Sequence, residues 1–159
     1  MEIRLHYIEQ GEGFPLILLH GNGEDHTYFK RQMEPFADHF RVIAVDTRGH
    51  GESPRGTGPF TLSRFAEDLK SFFDQHGISK CHLLGFSDGG NVALLFALKY
   101  PDRVERLILN GANLDPCGVK LKTQIPIVLG WGLCRLCALF SQQAKQNWEM
   151  LNLMVTQPH

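Results

Sequence analysis

Two hydrophobic patterns alternate along the chain. PLILLH (15–20), RVIAVD (41–46), CHLLGF (81–86) and RLILNG (106–111) are short, mostly apolar runs, as expected of strands buried on both faces of a sheet. EIRLHYIEQ alternates instead and places Ile3, Leu5 and Tyr7 on one face of a strand. GEGF reads as a turn after it. DHTYFKRQMEPFADHF predicts a helix interrupted near Pro35. Thr61 suits a helix N-cap. Leu62, Phe65, Ala66, Leu69, Phe72 and Phe73 then follow as one apolar stripe, and Gly77 ends the helix. NVALLFALKY is apolar on nearly every side, which predicts a deeply buried helix, closed by Pro101.

Buried strands alternating with helices define an α/β fold, a mostly parallel sheet with helices on both faces. Chemistry in such sheets gathers at the carboxyl ends of the strands. Three loops begin there: HGNG after Leu19, DTRGHG after Val45 and GFSDGG after Leu84. After Asp115 the pattern changes. IPIVLGWGLCRLCALF and QQAKQNWEMLNLMV read as helices, rich in bulky residues such as Trp131, Phe140, Trp148 and Met154. We therefore expect a core over residues 1–114 and a helical segment over 115–159. That segment is either ordinary helix packing or a lid over an apolar substrate, and its position in the chain favours the lid.

Length and charge narrow the classes. A chain of 159 residues builds one domain with a core. Sixteen basic and seventeen acidic residues leave a net charge of -1 without a basic run, so the footprint of a nucleic-acid binder is missing. Ile125 to Phe140 is broken by Arg135 and is too short to span a bilayer. MEIRLHYIEQ lacks the apolar core of a signal peptide, and the expectation is a cytoplasmic protein with reduced thiols. Cys134 and Cys137 form a C-x-x-C without a second ligand pair, which reads as buried small hydrophobes. No metal or organic cofactor is expected.

Gly85-Phe86-Ser87-Asp88-Gly89 fits G-x-S-x-G between an apolar strand and a helix. A strand turning at once into a helix crowds the backbone, so glycines flank the bend and the serine is forced into a strained conformation with its hydroxyl projecting. The competing reading is a glycine-rich turn with an incidental serine. An oxyanion hole needs two donors aimed at one developing charge. The backbone N–H of Asp88 is the natural first, and that of Asn22, in the loop after PLILL, a good second. His20 lies beside that position and reads as a hydrogen-bonding residue that shapes the loop.

With these residues in view, the chain resembles the amino-terminal part of an α/β-hydrolase. The likeness rests on LILLHGNG, DTRGHGES (46–53), GFSDGGNVALLFALKYPDRV (85–104) and RLILNG, in the order that fold demands. The resemblance implies Ser87 as nucleophile and Asn22 and Asp88 as donors of oxyanion-hole amides. It also implies that Asp46, Arg48 and His50 belong to a loop that is mainly structural near the rim. The implied activity is hydrolysis of a carboxylic ester or related acyl compound, and the composition of the expected lid makes that substrate small and partly apolar. Thioester, lactone and carbon–carbon hydrolysis, acyl transfer and perhydrolysis share the same serine. A carboxylate nucleophile, as in dehalogenases and epoxide hydrolases, is excluded at position 87.

A serine needs a general base and an orienting carboxylate, and in this family both follow it in the chain. Asp115, just after RLILN, is the candidate acid, although Asp before Pro is also ordinary turn chemistry. His82 reads as a core residue, and His159 ends the chain. The expectation is the front portion of a longer hydrolase, ending within its lid. Such a piece would hydrolyse activated esters weakly or not at all and would self-associate through an exposed sheet edge or lid. Two rivals stand beside it. One is a non-catalytic relative that binds a ligand or partner. The other is a dinucleotide-binding domain built on GNGEDH and Asp46, weakened by His26 at the third glycine position and by the charges of Glu24 and Asp25.

Overall fold

The computed structural model describes residues 3–113. A division between two units falls after Ala112. The expected lid, Asp115, His159, Cys117, Cys134 and Cys137 lie outside the described residues.

Among the described residues five strands form one sheet: β1 (Tyr7–Gln10), β2 (Pro15–Leu19), β3 (Arg41–Val45), β4 (Cys81–Phe86) and β5 (Val104–Asn110). Their spatial order is β1-β3-β2-β4-β5. β1 runs antiparallel to β3, and the other pairings are parallel. Three helices of two or more turns connect them: α1 (Lys30–Ala37), α2 (Leu62–Gln75) and α3 (Asp88–Lys99). The mostly parallel α/β sheet predicted from the apolar runs is the one observed.

The side-chain period of a strand sorts the core into two layers. Leu16, Leu18, Val42 and Ala44 pack against Phe29 and Met33 on the α1 side. Gly85 faces the opposite way, against the backbone of Gly89 and Gly90 in α3. α2 lies against α3, with Phe73 and Phe96 both fully buried at ring centroids 4.9 Å apart. Every predicted residue of the α2 stripe is buried. Thr61 caps this helix by accepting the Arg64 N–H at 3.2 Å, and Gly77, at φ 63°, takes the left-handed turn beyond its end.

Four details differ from the sequence expectation. β1 begins at Tyr7, although Ile3 and Leu5 are buried and Arg4 is exposed as the alternation predicts. The backbone of His6 is bonded to the 46–53 loop instead: its N–H donates to Ser53 Oγ, and its carbonyl accepts from Asp46. α1 runs through Pro35 and stops two residues later. Met33 and Phe36 hold that helix on the sheet, and such packing outweighs one lost hydrogen bond. α3 is buried on one side only, with Leu98 69% exposed. β5, expected to be buried, exposes Ile108 and Leu109, because it forms the edge of the sheet among the described residues.

Candidate active site

β2 and β4 are adjacent, paired from Leu16↔His82 to Leu19↔Gly85. The helices that follow them, α1 and α3, lie on opposite faces. The crevice between their carboxyl ends is therefore a topological switch point, where α/β sheets bind ligands. The loop after β2 carries His20, Gly21 and Asn22, and Ser87 follows β4.

Ser87 has φ 52° and ψ -120°, the sole positive φ at a non-glycine residue among the described residues. That backbone is strained for any L side chain. It is held on both sides. The Ser87 N–H donates to Asn110 O at 2.8 Å at the end of β5, and the Ser87 carbonyl accepts from Gly90 at 2.9 Å and Asn91 at 3.1 Å. The flanking glycines are required by space. A Cβ on Gly85 would overlap the backbone of Gly89 and Gly90, and one on Gly89 would overlap the carbonyl oxygens of Leu19 and His20. α3 starts at Asp88, so the Asp88 N–H belongs to the first turn, where amides have no intrahelical acceptor. A Cβ built on Gly21 would come within 3.2 Å of Ser87 Cβ. The fold thus brings the Gly21–Asn22 loop, Ser87 and Asp88 together. Asp115, the candidate acid, lies outside the described residues.

Asp88 is itself notable. Oδ1 accepts from Asn91 Nδ2 at 3.2 Å, while Oδ2 is buried without a hydrogen-bond partner. Burial pushes this carboxyl above the usual carboxylate range, and the Asn91 bond offsets part of that.

Sequence reading did not find the connections behind the site. Glu24 Oε2 accepts the Gly21 N–H at 2.9 Å, and the Tyr28 ring stacks on Phe86 at 4.6 Å. His20 spans two loops: Nδ1 lies 2.7 Å from Gly21 O, and Thr47 N–H donates to Nε2 at 3.0 Å. A carbonyl only accepts and an amide N–H only donates, so His20 carries its proton on Nδ1 and is neutral. Both nitrogens are occupied, which fits the loop-shaping role expected of it and leaves no lone pair for proton transfer. Among the described residues no histidine is hydrogen-bonded to Ser87.

Burial lowers the His20 pKa from 6.5 to about 4, against the opposing pull of the Gly21 carbonyl. The unfolded chain binds more protons than the folded one between those values. Stability is therefore fully present above pH 6.5 and falls as the pH drops toward about 4, by about 3 kcal/mol from this group. Urea melts at pH 7 and pH 4.5 should record the loss, and His20→Gln should flatten it.

His6, His26 and Asp46 form the one cluster among the described residues whose ligand atoms, all within 4.8 Å, could hold a metal ion. Asp46 is fully buried and already satisfied. It accepts from the His26 and Glu52 amides at 2.6 and 3.0 Å and lies 2.8 and 2.9 Å from the Nδ1 atoms of His6 and His26. Burial pushes this carboxyl upward, but the amide and imidazole bonds together hold it below the usual range. Cys81 is buried in β4, and burial raises its thiol pKa to about 12, far from a thiolate at neutral pH.

A strained serine between strand and helix, at the switch point of a mostly parallel sheet, defines the α/β-hydrolase class. Residues 15–132 match the model of the alpha/beta hydrolase fold, and the chain belongs to that family. A 2-hydroxy-6-oxononadienedioate/2-hydroxy-6-oxononatrienedioate hydrolase of Escherichia coli K12 is 36% identical over 155 residues, covering 94% of this chain and 52% of that protein. Epoxide hydrolase 4 of Mus musculus is 40% identical over 111 residues, 67% of this chain and 31% of the relative. A thermophilic esterase from Thermogutta terrifontis superposes with a TM-score of 0.72 at 29% identity, over 98% of this chain and 63% of the esterase. The chain spans about half the length of the first of these relatives and about a third of the second.

Proposed function

We propose that this chain carries the nucleophile and oxyanion hole of a serine hydrolase acting on a small, partly apolar carboxylic ester or related acyl compound. The observation that carries the reading is the backbone of Ser87, φ 52° and ψ -120°, at a G-x-S-x-G turn beside the Gly21–Asn22 loop. Strain of this kind persists where the surrounding structure imposes it and clusters at functional sites.

Ser87 Oγ attacks the acyl carbon while its proton passes to a general base. The carbonyl oxygen becomes an oxyanion received by the Asn22 and Asp88 amides, and the leaving group departs with the proton as the acyl-enzyme forms. Water then attacks the acyl carbon, giving its proton to the base. The carboxylic acid is released and Ser87 recovers its hydrogen. Asp115 is proposed as the carboxylate that orients the base.

A carbon–carbon bond hydrolysed next to a carbonyl uses the same serine and hole, and the Escherichia coli relative favours including that class. Epoxide opening through a carboxylate nucleophile is disfavoured by serine at 87, since Asp88 already stands one residue into α3. The test is a panel of p-nitrophenyl butyrate, a vinylogous 1,5-diketone acid and styrene oxide. Weak turnover of either of the first two, lost in Ser87→Ala, or fluorophosphonate labelling lost in the same variant where turnover is nil, is the expected result. Epoxide turnover that survives Ser87→Ala would overturn the proposal. The absence of a histidine bonded to Ser87 among the described residues favours a second reading, a non-catalytic binding protein. Binding of butyrate or the diketone acid without turnover would favour it.

A further inference from the structure

The loop 46–50 was expected to be structural. Its hydrogen bonds lead to one peptide unit, that between Gly21 and Asn22. The carbonyl of this unit is Gly21 O and its N–H is that of Asn22. In a planar trans peptide the two point in opposite directions, so whatever fixes the carbonyl also aims the N–H.

His20 Nδ1–H fixes the carbonyl at 2.7 Å. Its Nε2 lies 3.3 Å from Thr47 Oγ1, and Thr47 Oγ1 lies 3.1 Å from His50 Nδ1. His50 Nδ1 is also 3.0 Å from Arg48 O, which only accepts, so the His50 proton sits on Nδ1. His50 Nε2 then offers only a lone pair, and it lies 3.2 Å from Asn22 Oδ1. Two acceptors do not hydrogen-bond, and the two ends of an amide are alike in shape, so we assign the Asn22 amide with its NH2, in place of Oδ1, toward His50. The directions agree all the way round. Asn22 NH2 donates to His50, His50 to Thr47 through an Nδ1–H shared with the Arg48 carbonyl, Thr47 O–H to the His20 lone pair that the Thr47 amide also uses, and His20 to the carbonyl of Gly21, next to Asn22 again. His20, Thr47 and His50 are 2%, 7% and 5% exposed, which keeps competing water out of the ring. Burial lowers the pKa of both histidines, as their neutral forms in the ring require.

We infer that His50 is a positioning residue for the proposed reaction: through the side chain of Asn22 and the ring it closes, it aims the Asn22 N–H at the oxyanion. The inference rests on the proposed serine-hydrolase reading. Bonds in such a chain polarise one another, so the ring also strengthens the N–H as a donor.

The imidazole contacts separate by substitution. Glutamine places its amide where Nε2 stands and keeps the contact to Asn22; asparagine reaches only the Nδ1 side. On a turned-over ester, His50→Ala should lower kcat about tenfold or more with KM within about twofold. His50→Asn should match it, and His50→Gln should recover most of the loss. Asn22→Ala keeps the backbone N–H and should reproduce the His50→Ala effect, with the double variant no worse than either. A His50→Ala loss that Asn22→Ala does not share, or losses that multiply, would overturn the inference. Should His50→Ala fail to fold, Asn22→Ala and His50→Gln decide it by the same comparison. Amide spectra of the 15N-labelled full chain decide it independently of turnover. The Asn22 resonance should move in His50→Ala and stay near its wild-type position in His50→Gln; an unmoved resonance in folded His50→Ala contradicts the inference. Wild-type chain that turns over no panel substrate and takes up no fluorophosphonate at Ser87 defeats the hydrolase reading alone, and the spectra still decide the ring.

Discussion

Ser87→Ala should lower kcat/KM by at least about 10³-fold on whichever panel substrate the chain turns over, while leaving the fold intact. Alanine retains Cβ, so the strained backbone is no better or worse accommodated than before. The bonds holding the turn, Ser87 N–H to Asn110 O and Ser87 O to the α3 amides, are all main-chain. Stability should therefore change by less than about 0.5 kcal/mol. What is lost is the oxygen proposed to form the acyl intermediate. The amides of Asn22 and Asp88 remain, so substrate should still bind and KM should change little. Steady-state kinetics with a thermal melt on the same sample checks both halves. A large drop in Tm with the loss of activity would mean that the hydroxyl serves the structure instead.

Asp68→Ala should destabilise the fold by about 3–5 kcal/mol. Arg48 is 1% exposed, and Asp68 on α2 receives its Nε at 2.6 Å and Nη2 at 2.7 Å. Removing the carboxylate strands a buried guanidinium whose remaining contact is Nη1 to the Arg55 carbonyl at 2.9 Å. A shift of this size should lower Tm by about 10 °C or more. Replacing both partners by apolar residues, as Asp68→Ala with Arg48→Met, should cost far less than the single change, because no charge is then left buried. Denaturant melts of the three proteins test this, and a double variant as unstable as the single one would refute it. The pair also matters to the site. Arg48 stands between Thr47 and His50, so the ion pair anchors to α2 the loop that holds Asn22.

The features legible in the sequence are those set by local sterics and by period. The four apolar runs became four strands because residues between two helix layers have no polar face to offer. The Ser87 turn was readable because a strand-to-helix reversal tolerates little but glycine at 85 and 89. β5 shows the limit: its apolar run predicts burial, but burial depends on neighbours that sequence pattern does not specify. The His20–Thr47–His50–Asn22 ring was not legible either. Its members come from two loops joined only by strand order, and a histidine's partners are set by which loops the sheet brings together. His20 was assigned to loop shaping from its place beside the oxyanion position; its proton location emerged only with the Gly21 and Thr47 contacts. His50 had no local signal beyond belonging to the same rim.

Ser87 is proposed to present its oxygen where two main-chain amides from separate loops converge. A crystal structure of the chain after treatment with a fluorophosphonate tests this most directly. Phosphorus should be bonded to Ser87 Oγ, with one phosphoryl oxygen about 2.7–3.1 Å from both the Asn22 and Asp88 nitrogens. An unmodified Ser87, or an adduct whose oxygen reaches neither amide, would contradict it.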